Sequence, residues 1–280
     1  MDKNNHTITG NLKVVKLHCD DFLVSKNRRV RIWTPLSYDP NNKKPYRVIY
    51  MFDGQNLFDD ATSFIGEWHV DESISEKEEE GIRPSIVVGL DFSADRLSEY
   101  LPSFSNVAVR ELAYKGNITM KFLMNTVVPY VESHYNVSTK RIDNSIGGSS
   151  MGGLMSLAVG MQCQNKFSKI YAFSCAFPVF SFGPEEYEGE HEGLDNDDAF
   201  EYVLKAYSSK KMLNKFEVVM TSGGTGYEEY YFDYVKRFQK ALMKAGWDKS
   251  NILTLQDKKL EHNEYQWSLF FPKAYEFFNK

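Results

Sequence analysis

The sequence predicts an α/β fold: a mostly parallel central sheet with helices on both faces and a lid-like insertion. Two observations carry this. β-prone and helix-prone segments alternate along most of the chain, the signature of parallel strands joined by helical crossovers. The run 85–90, SIVVGL, is apolar throughout, as a strand covered on both faces must be.

The elements follow in order. Residues 12–46 form a β lead-in, with β-prone runs at 12–17 and 30–34 separated by a polar turn, Lys26-Asn27-Arg28-Arg29. Asp39-Pro40-Asn41-Asn42-Lys43-Lys44-Pro45 has loop chemistry. A buried-type strand, 47–52, ends at Asp53-Gly54. Residues 70–80 predict a helix with a charged face, 85–90 a central strand, and 118–135 a helix kinked at Pro129. A short strand, 145–149, precedes a helix over 151–163 rich in Gly, Met, Leu and Ala. Strands are then expected at 169–174, 216–221 and 251–255, and helices at 227–245 and 265–278. The stretch 176–214 departs from this rhythm. Its acidic run around Glu185–Glu192 reads either as a cap over a site or as a solvated excursion containing a helix, and it lacks the spacing of an EF-hand calcium loop.

All 280 residues fit a single domain. With 33 basic against 38 acidic residues the net charge is −5, which gives no basic footprint for nucleic acid. Three cysteines without a CxxC pair exclude a disulfide framework and a structural zinc site of cysteines; they are expected as reduced thiols, two of them buried. The first ten residues lack the apolar core of a secretory signal, and no apolar run approaches the roughly 20 residues needed to cross a bilayer. A cytoplasmic protein without membrane contact is therefore expected. The 20 Phe and 17 Tyr suit a thick core and are compatible with a homodimer, although no segment marks an interface.

The sharpest chemical signal is Gly148-Ser149-Ser150-Met151-Gly152, a G-x-S-x-G match set between an expected strand and an expected helix. On such an elbow the serine hydroxyl is pushed out of the sheet, and small flanking residues let strand and helix approach. The free N–H groups at the helix start face the point where negative charge develops. Ser149 fails the template, so Ser150 is the candidate nucleophile, and the pattern places the chain among α/β-hydrolase folds.

A serine needs a base. In this fold the order is serine, acid, histidine. His191 and His262 alone follow Ser150, and His191 sits in the acidic run. His262, between the last strand and the last helix, is the candidate base. The acid should follow the strand 216–221. Glu228 is preferred there, with Glu229 and Asp233 as alternatives; Glu228 and Glu229 also read as first-turn helix acids. The oxyanion hole needs two backbone donors: Met151, after the nucleophile, and Gln55, in the loop after the strand 47–52.

These segments together resemble the putative-esterase family of α/β hydrolases, which includes esterase D-like, enterochelin-esterase-like and feruloyl-esterase-like enzymes. The resemblance runs from about Val30 to the C-terminus. It rests on Met51-Phe52-Asp53-Gly54-Gln55-Asn56-Leu57-Phe58, Gly66-Glu67-Trp68-His69-Val70-Asp71-Glu72, Ile86-Val87-Val88-Gly89-Leu90-Asp91, Arg96 with Glu99-Tyr100, Gly147 to Gly153, and His262-Asn263-Glu264 with Trp267. It implies Ser150 and His262 as nucleophile and base, and Gln55 and Met151 as oxyanion donors. It also implies that the region of Glu67 and Trp68 lines the substrate cleft, with Asn56 beside it; Trp68 reads equally as an aromatic that fastens a helix to the sheet. One departure stands out. The family's acid usually comes as Gly-Thr-x-Glu, whereas here Gly224-Thr225-Gly226 is followed by Tyr227 and only then Glu228.

The implied activity is hydrolysis of carboxylic esters through an acyl-enzyme, without metal or organic cofactor. The implied partners are small ester substrates: acylated sugars, aryl esters of the feruloyl type, or siderophore-type esters. An acyltransferase would use the same triad. A non-catalytic binding module on a hydrolase scaffold is the alternative that the irregular acid loop leaves open.

Overall fold

The computed structural model describes residues 6–102, 115–177, 204 and 216–279. Eight strands form one sheet: β1 (Asn11–His18), β2 (Asn27–Thr34), β3 (Arg47–Phe52), β4 (Ser85–Leu90), β5 (Asn144–Ser149), β6 (Lys169–Phe173), β7 (Glu217–Ser222) and β8 (Ile252–Gln256). Their spatial order is β1-β2-β4-β3-β5-β6-β7-β8. β2 pairs antiparallel with both β1 and β4, and every pairing from β4 through β8 is parallel. This is the α/β-hydrolase fold.

The two-residue period of the strands sorts the core into two layers. Val48, Tyr50 and Phe52 of β3 enter one cluster, while Ile49 and Met51 enter the other. The first layer is covered by α3 (Gly116–Phe122), α4 (Val128–His134), α5 (Met151–Gln162) and α6 (Tyr231–Lys244). The second is covered by α1 (Val70–Glu79) and α7 (Glu264–Asn279), through Val70, Ile74, Trp267, Phe271 and Tyr275. A short helix, α2 (Arg96–Glu99), follows β4 and was not anticipated from periodicity.

Four local expectations are corrected. Arg28 and Arg29 belong to β2, which begins at Asn27 because its pairing with β1 extends to His18. The expected helix 118–135 is divided by a π-helical segment, Leu123–Val127, directly before Pro129 at the start of α4. That widened turn accommodates a proline ring that an α-helical carbonyl would meet. The expected helix 227–245 is divided too, into a 3-10 turn, Gly226–Glu228, and α6. Among the three free cysteines only Cys175 is buried. Apart from Ala176, Phe177 and Leu204, the expected cap over 176–214, with His191, lies outside the described residues. Among the described residues no helix is long and apolar enough to cross a membrane.

Candidate active site

Ser150 stands between β5 and α5 with φ 54° and ψ −123°, a conformation that costs a non-glycine residue of order 1–3 kcal/mol. The backbone around it holds the strain. Ser150 N–H donates to Phe173 O at 2.9 Å, and Ser150 O accepts from Leu154 and Ala176, each at 3.1 Å. The flanking glycines are steric requirements. A Cβ on Gly148 would lie 2.8 Å from the Gly152 backbone, and one on Gly152 would lie 2.9 Å from Asp53 Oδ2. Ser150 is partly exposed, whereas Ser149 is 2% exposed and so is closed to a substrate. The buried thiol of Cys175 offers no competing nucleophile: burial pushes its pKa well above the usual range.

Because β5, β7 and β8 run parallel, Ser150, Glu228 and His262 follow strand ends on the same edge of the sheet. Glu228 is completely buried. Its Oε1 accepts from His262 Nδ1 at 2.8 Å and from Gln266 Nε2 at 3.1 Å. Its Oε2 accepts from Gly223 N–H at 3.0 Å. The extra residue before Glu228 is absorbed by the 3-10 turn, which turns the carboxylate inward instead of leaving it on the first turn of a helix. Glu229 is exposed, and Asp233 is exposed and paired with Lys236; neither alternative acid meets His262.

Ser174, Gln266 and Tyr231, which help to hold this pair, were not singled out from sequence. Ser174 Oγ donates to Gln266 Oε1 at 2.8 Å, fixing the amide that faces Glu228, and accepts from Trp267 Nε1 at 3.0 Å. Gln266 Nε2 also donates to Glu261 O at 2.7 Å. The His262 ring lies edge-on to Tyr231 and Trp267, each 5.3 Å away between centroids. The ring is thus fixed on its Nδ1 side. Among the described residues no hydrogen bond joins Ser150 Oγ to His262, a contact that resting hydrolytic sites often leave long.

Met151 opens α5, so its N–H has no acceptor within the helix. Gln55 lies in a 3-10 turn, Gly54–Asn56, closed by Asn56 N–H to Asp53 O at 3.0 Å and Leu57 N–H to Gly54 O at 3.4 Å. Gly54 packs on the β4 backbone; a Cβ there would lie 2.6 Å from Gly89 C. The turn is braced by Asp53, whose carboxylate takes a bidentate pair from Arg96 at 2.7 and 2.8 Å. The side chain of Gln55 points back toward β4, with Oε1 accepting from Phe92 N–H at 3.3 Å.

The three residues expected to line the substrate cleft are all buried in the structure. Trp68 is 1% exposed, stacked on Phe173 at 5.3 Å and tilted against Trp267 at 5.4 Å; it fastens α1 to the sheet. Asn56 is buried, donating to Glu264 Oε1 at 2.8 Å and accepting from Phe64 N–H at 3.1 Å. Glu67 is buried and accepts from the Thr7 hydroxyl at 2.6 Å; burial raises its pKa to about 7. All three side chains are turned into the protein, with Glu67 Oε1 and Trp68 Nε1 left without a hydrogen-bond partner.

The family model described as Putative esterase matches residues 24–182, more than half of the chain. A curated relative, the Bacillus subtilis (strain 168) protein YbbA, is 24% identical over 159 residues, covering 54% of this chain and 58% of its own length. Among solved structures, the BES protein from Bacillus cereus aligns over 100% of this chain and 99% of its own, with a TM-score of 0.68 at 17% identity. The ferric enterobactin esterase of Salmonella typhimurium aligns over 97% of this chain and 59% of its own, with a TM-score of 0.69 at 16% identity. A ferulic acid esterase from Anaeromyces mucronatus aligns over 100% and 92%, with a TM-score of 0.64 at 20% identity. At these identities the structures share the fold, and the family match supplies the membership: the chain belongs to the putative-esterase family of α/β hydrolases.

Proposed function

We propose that this protein hydrolyses carboxylic esters through an acyl-enzyme on Ser150. The observation that carries the reading is the 2.8 Å bond from His262 Nδ1 to the buried Glu228 carboxylate, on the same sheet edge as the strained serine. With Nδ1–H held there, Nε2 is the basic nitrogen and can take the Ser150 proton. Ser150 Oγ attacks the acyl carbon. The oxyanion accepts from the N–H groups of Met151 and Gln55. His262 then gives its proton to the leaving alkoxide, and the acyl group stays on Ser150. Water, deprotonated by His262, attacks the acyl-enzyme, and the carboxylic acid departs with Ser150 restored. Glu228 steadies the imidazolium in both halves.

The substrate classes we favour are acylated sugars, feruloyl-type aryl esters and siderophore-type esters, the last two after the ferulic acid and enterobactin esterases that share the fold. The inward turn of Glu228 weakens the case for a binding module, which depended on an irregular acid loop. The test is turnover of p-nitrophenyl acetate and butyrate by wild type and Ser150→Ala, followed by acetyl-sugar, feruloyl and catecholate ester panels. Turnover that vanishes in Ser150→Ala supports the proposal. Turnover that survives the substitution, or a wild type inert toward every ester, refutes it.

A further inference from the structure

The esterase chemistry leaves one part of the sequence pattern unused: Glu67, His69 and Glu72 at the start of α1. One carboxylate oxygen from each glutamate and one ring nitrogen of His69 lie within 4.8 Å of one another. His69 Nδ1 is 3.6 Å from Glu67 Oε2 and 3.3 Å from Glu72 Oε1. Donors bound to one tetrahedral ion at about 2.0–2.1 Å stand about 3.3 Å apart, so two edges of such a site already exist.

A second observation is independent of this spacing. The Glu67 side chain is 1% exposed, and its Oε1 has no hydrogen-bond partner. Glu72 Oε2 is likewise buried without a donor; in both glutamates the orphaned atom is the second oxygen of a carboxylate whose other oxygen faces His69, so each carboxylate as a whole lacks a full set of donors. Asp59 and Asp71 add two more buried carboxyl groups nearby. Among the described residues, none of these four acids forms an ion pair with Lys or Arg; their ion-pair partners are His6 and His69. The N-terminus of α1 supplies some positive potential, but it gives the orphaned oxygens no donor. Buried carboxylate oxygens in this state are costly unless a cation or a proton meets them.

We propose that Glu67, His69 and Glu72 bind one divalent transition-metal cation, with water completing the coordination. One imidazole and two carboxylates suit zinc, cobalt or manganese better than calcium, which takes six to eight oxygens. Half of the His69 side chain faces solvent, which leaves an entry path. The role is structural. The ligands bracket Trp68, whose ring stacks on Phe173, and Phe173 O receives the Ser150 N–H. The ion would thus tie the start of α1 to the layer behind the elbow without touching the reacting atoms.

The experiment uses the full, tag-free chain after dialysis against a chelator, titrated with Co²⁺ near neutral pH. The expected result is saturation at one equivalent with visible d–d absorption, displacement by Zn²⁺, and a melting temperature raised by Zn²⁺. His69→Ala, at a half-exposed ring, should fold and bind Co²⁺ about tenfold more weakly or worse; Glu67→Gln should do the same. No saturable binding in wild type, or binding unchanged in His69→Ala, would overturn the proposal and leave shared protons as the neutralising agent.

Discussion

Replacing Glu228 with glutamine tests the geometry of the acid with almost no change in shape. The buried carboxylate receives two donors on Oε1, from His262 and Gln266, and one on Oε2, from Gly223. The glutamine carbonyl should therefore take the Oε1 place, which preserves two bonds, and turn its NH₂ toward the Gly223 N–H. That buried donor–donor contact costs about 1–3 kcal/mol of stability, or a few degrees in melting temperature. The imidazole keeps its tautomer but loses its counter-charge. Two unit charges ~4 Å apart at an effective dielectric constant of ~20 attract by about 4 kcal/mol, so kcat should fall about 10³-fold. Because the tautomer survives, the loss should stay below the ~10⁴ seen when an amide imposes the wrong one. The assay is kcat on p-nitrophenyl acetate beside a thermal melt, with Asp233→Asn as a control expected to match wild type. A Glu228→Gln enzyme within about tenfold of wild type would refute the reasoning.

Further consequences follow from the same contacts. Gly148→Ala places a Cβ 2.8 Å from the Gly152 backbone; overpacking of this kind costs about 1–3 kcal/mol, and the melting temperature should drop with loss of activity as the elbow shifts. Arg96→Ala strips the bidentate partner from Asp53, whose side chain is 5% exposed. A buried charge left alone costs about 3–5 kcal/mol, visible in the urea midpoint, and Arg96→Lys should restore little because the fork is lost. Burial, with repulsion from Asp53, raises the pKa of Glu264 above the ordinary glutamate value of 4.5. The folded state then holds a proton that the unfolded chain has released, so this group lowers stability as pH rises from about 4.5 through its folded pKa. Glu264→Gln should therefore gain on wild type in urea midpoint as pH increases from about 5 to about 8; a constant difference would remove Glu264 as the source.

The parts of this molecule that were legible in sequence are those fixed by local sterics and period. β3 could be read because Val48, Tyr50 and Phe52 serve one layer and Ile49 and Met51 the other, which demands an apolar residue at every position after Arg47. The elbow could be read because the small residues around Ser150 are a packing requirement that few other arrangements impose. The candidate acid was only half legible. Residues 227–245 carry helical spacing, and nothing in that spacing says that Glu228 leaves the helix to meet a histidine 34 positions away. The burial of Trp68, Glu67 and Asn56 was not legible for a related reason. Proximity in sequence to the candidate oxyanion turn does not tell which way a side chain points, and here all three turn into the protein. The Asp53–Arg96 brace and the Ser174–Gln266–Glu228 chain join residues far apart in sequence, where periodicity carries no signal.

The central claim is that Ser150 is a nucleophile activated by His262. The most direct test is to treat the protein with a fluorophosphonate, locate the adduct by peptide mass spectrometry, and repeat the reaction with His262→Ala. The account predicts one adduct, on Ser150, formed far more slowly in His262→Ala although that variant remains folded. An adduct on any other residue, or labelling of Ser150 at the same rate without His262, would contradict it.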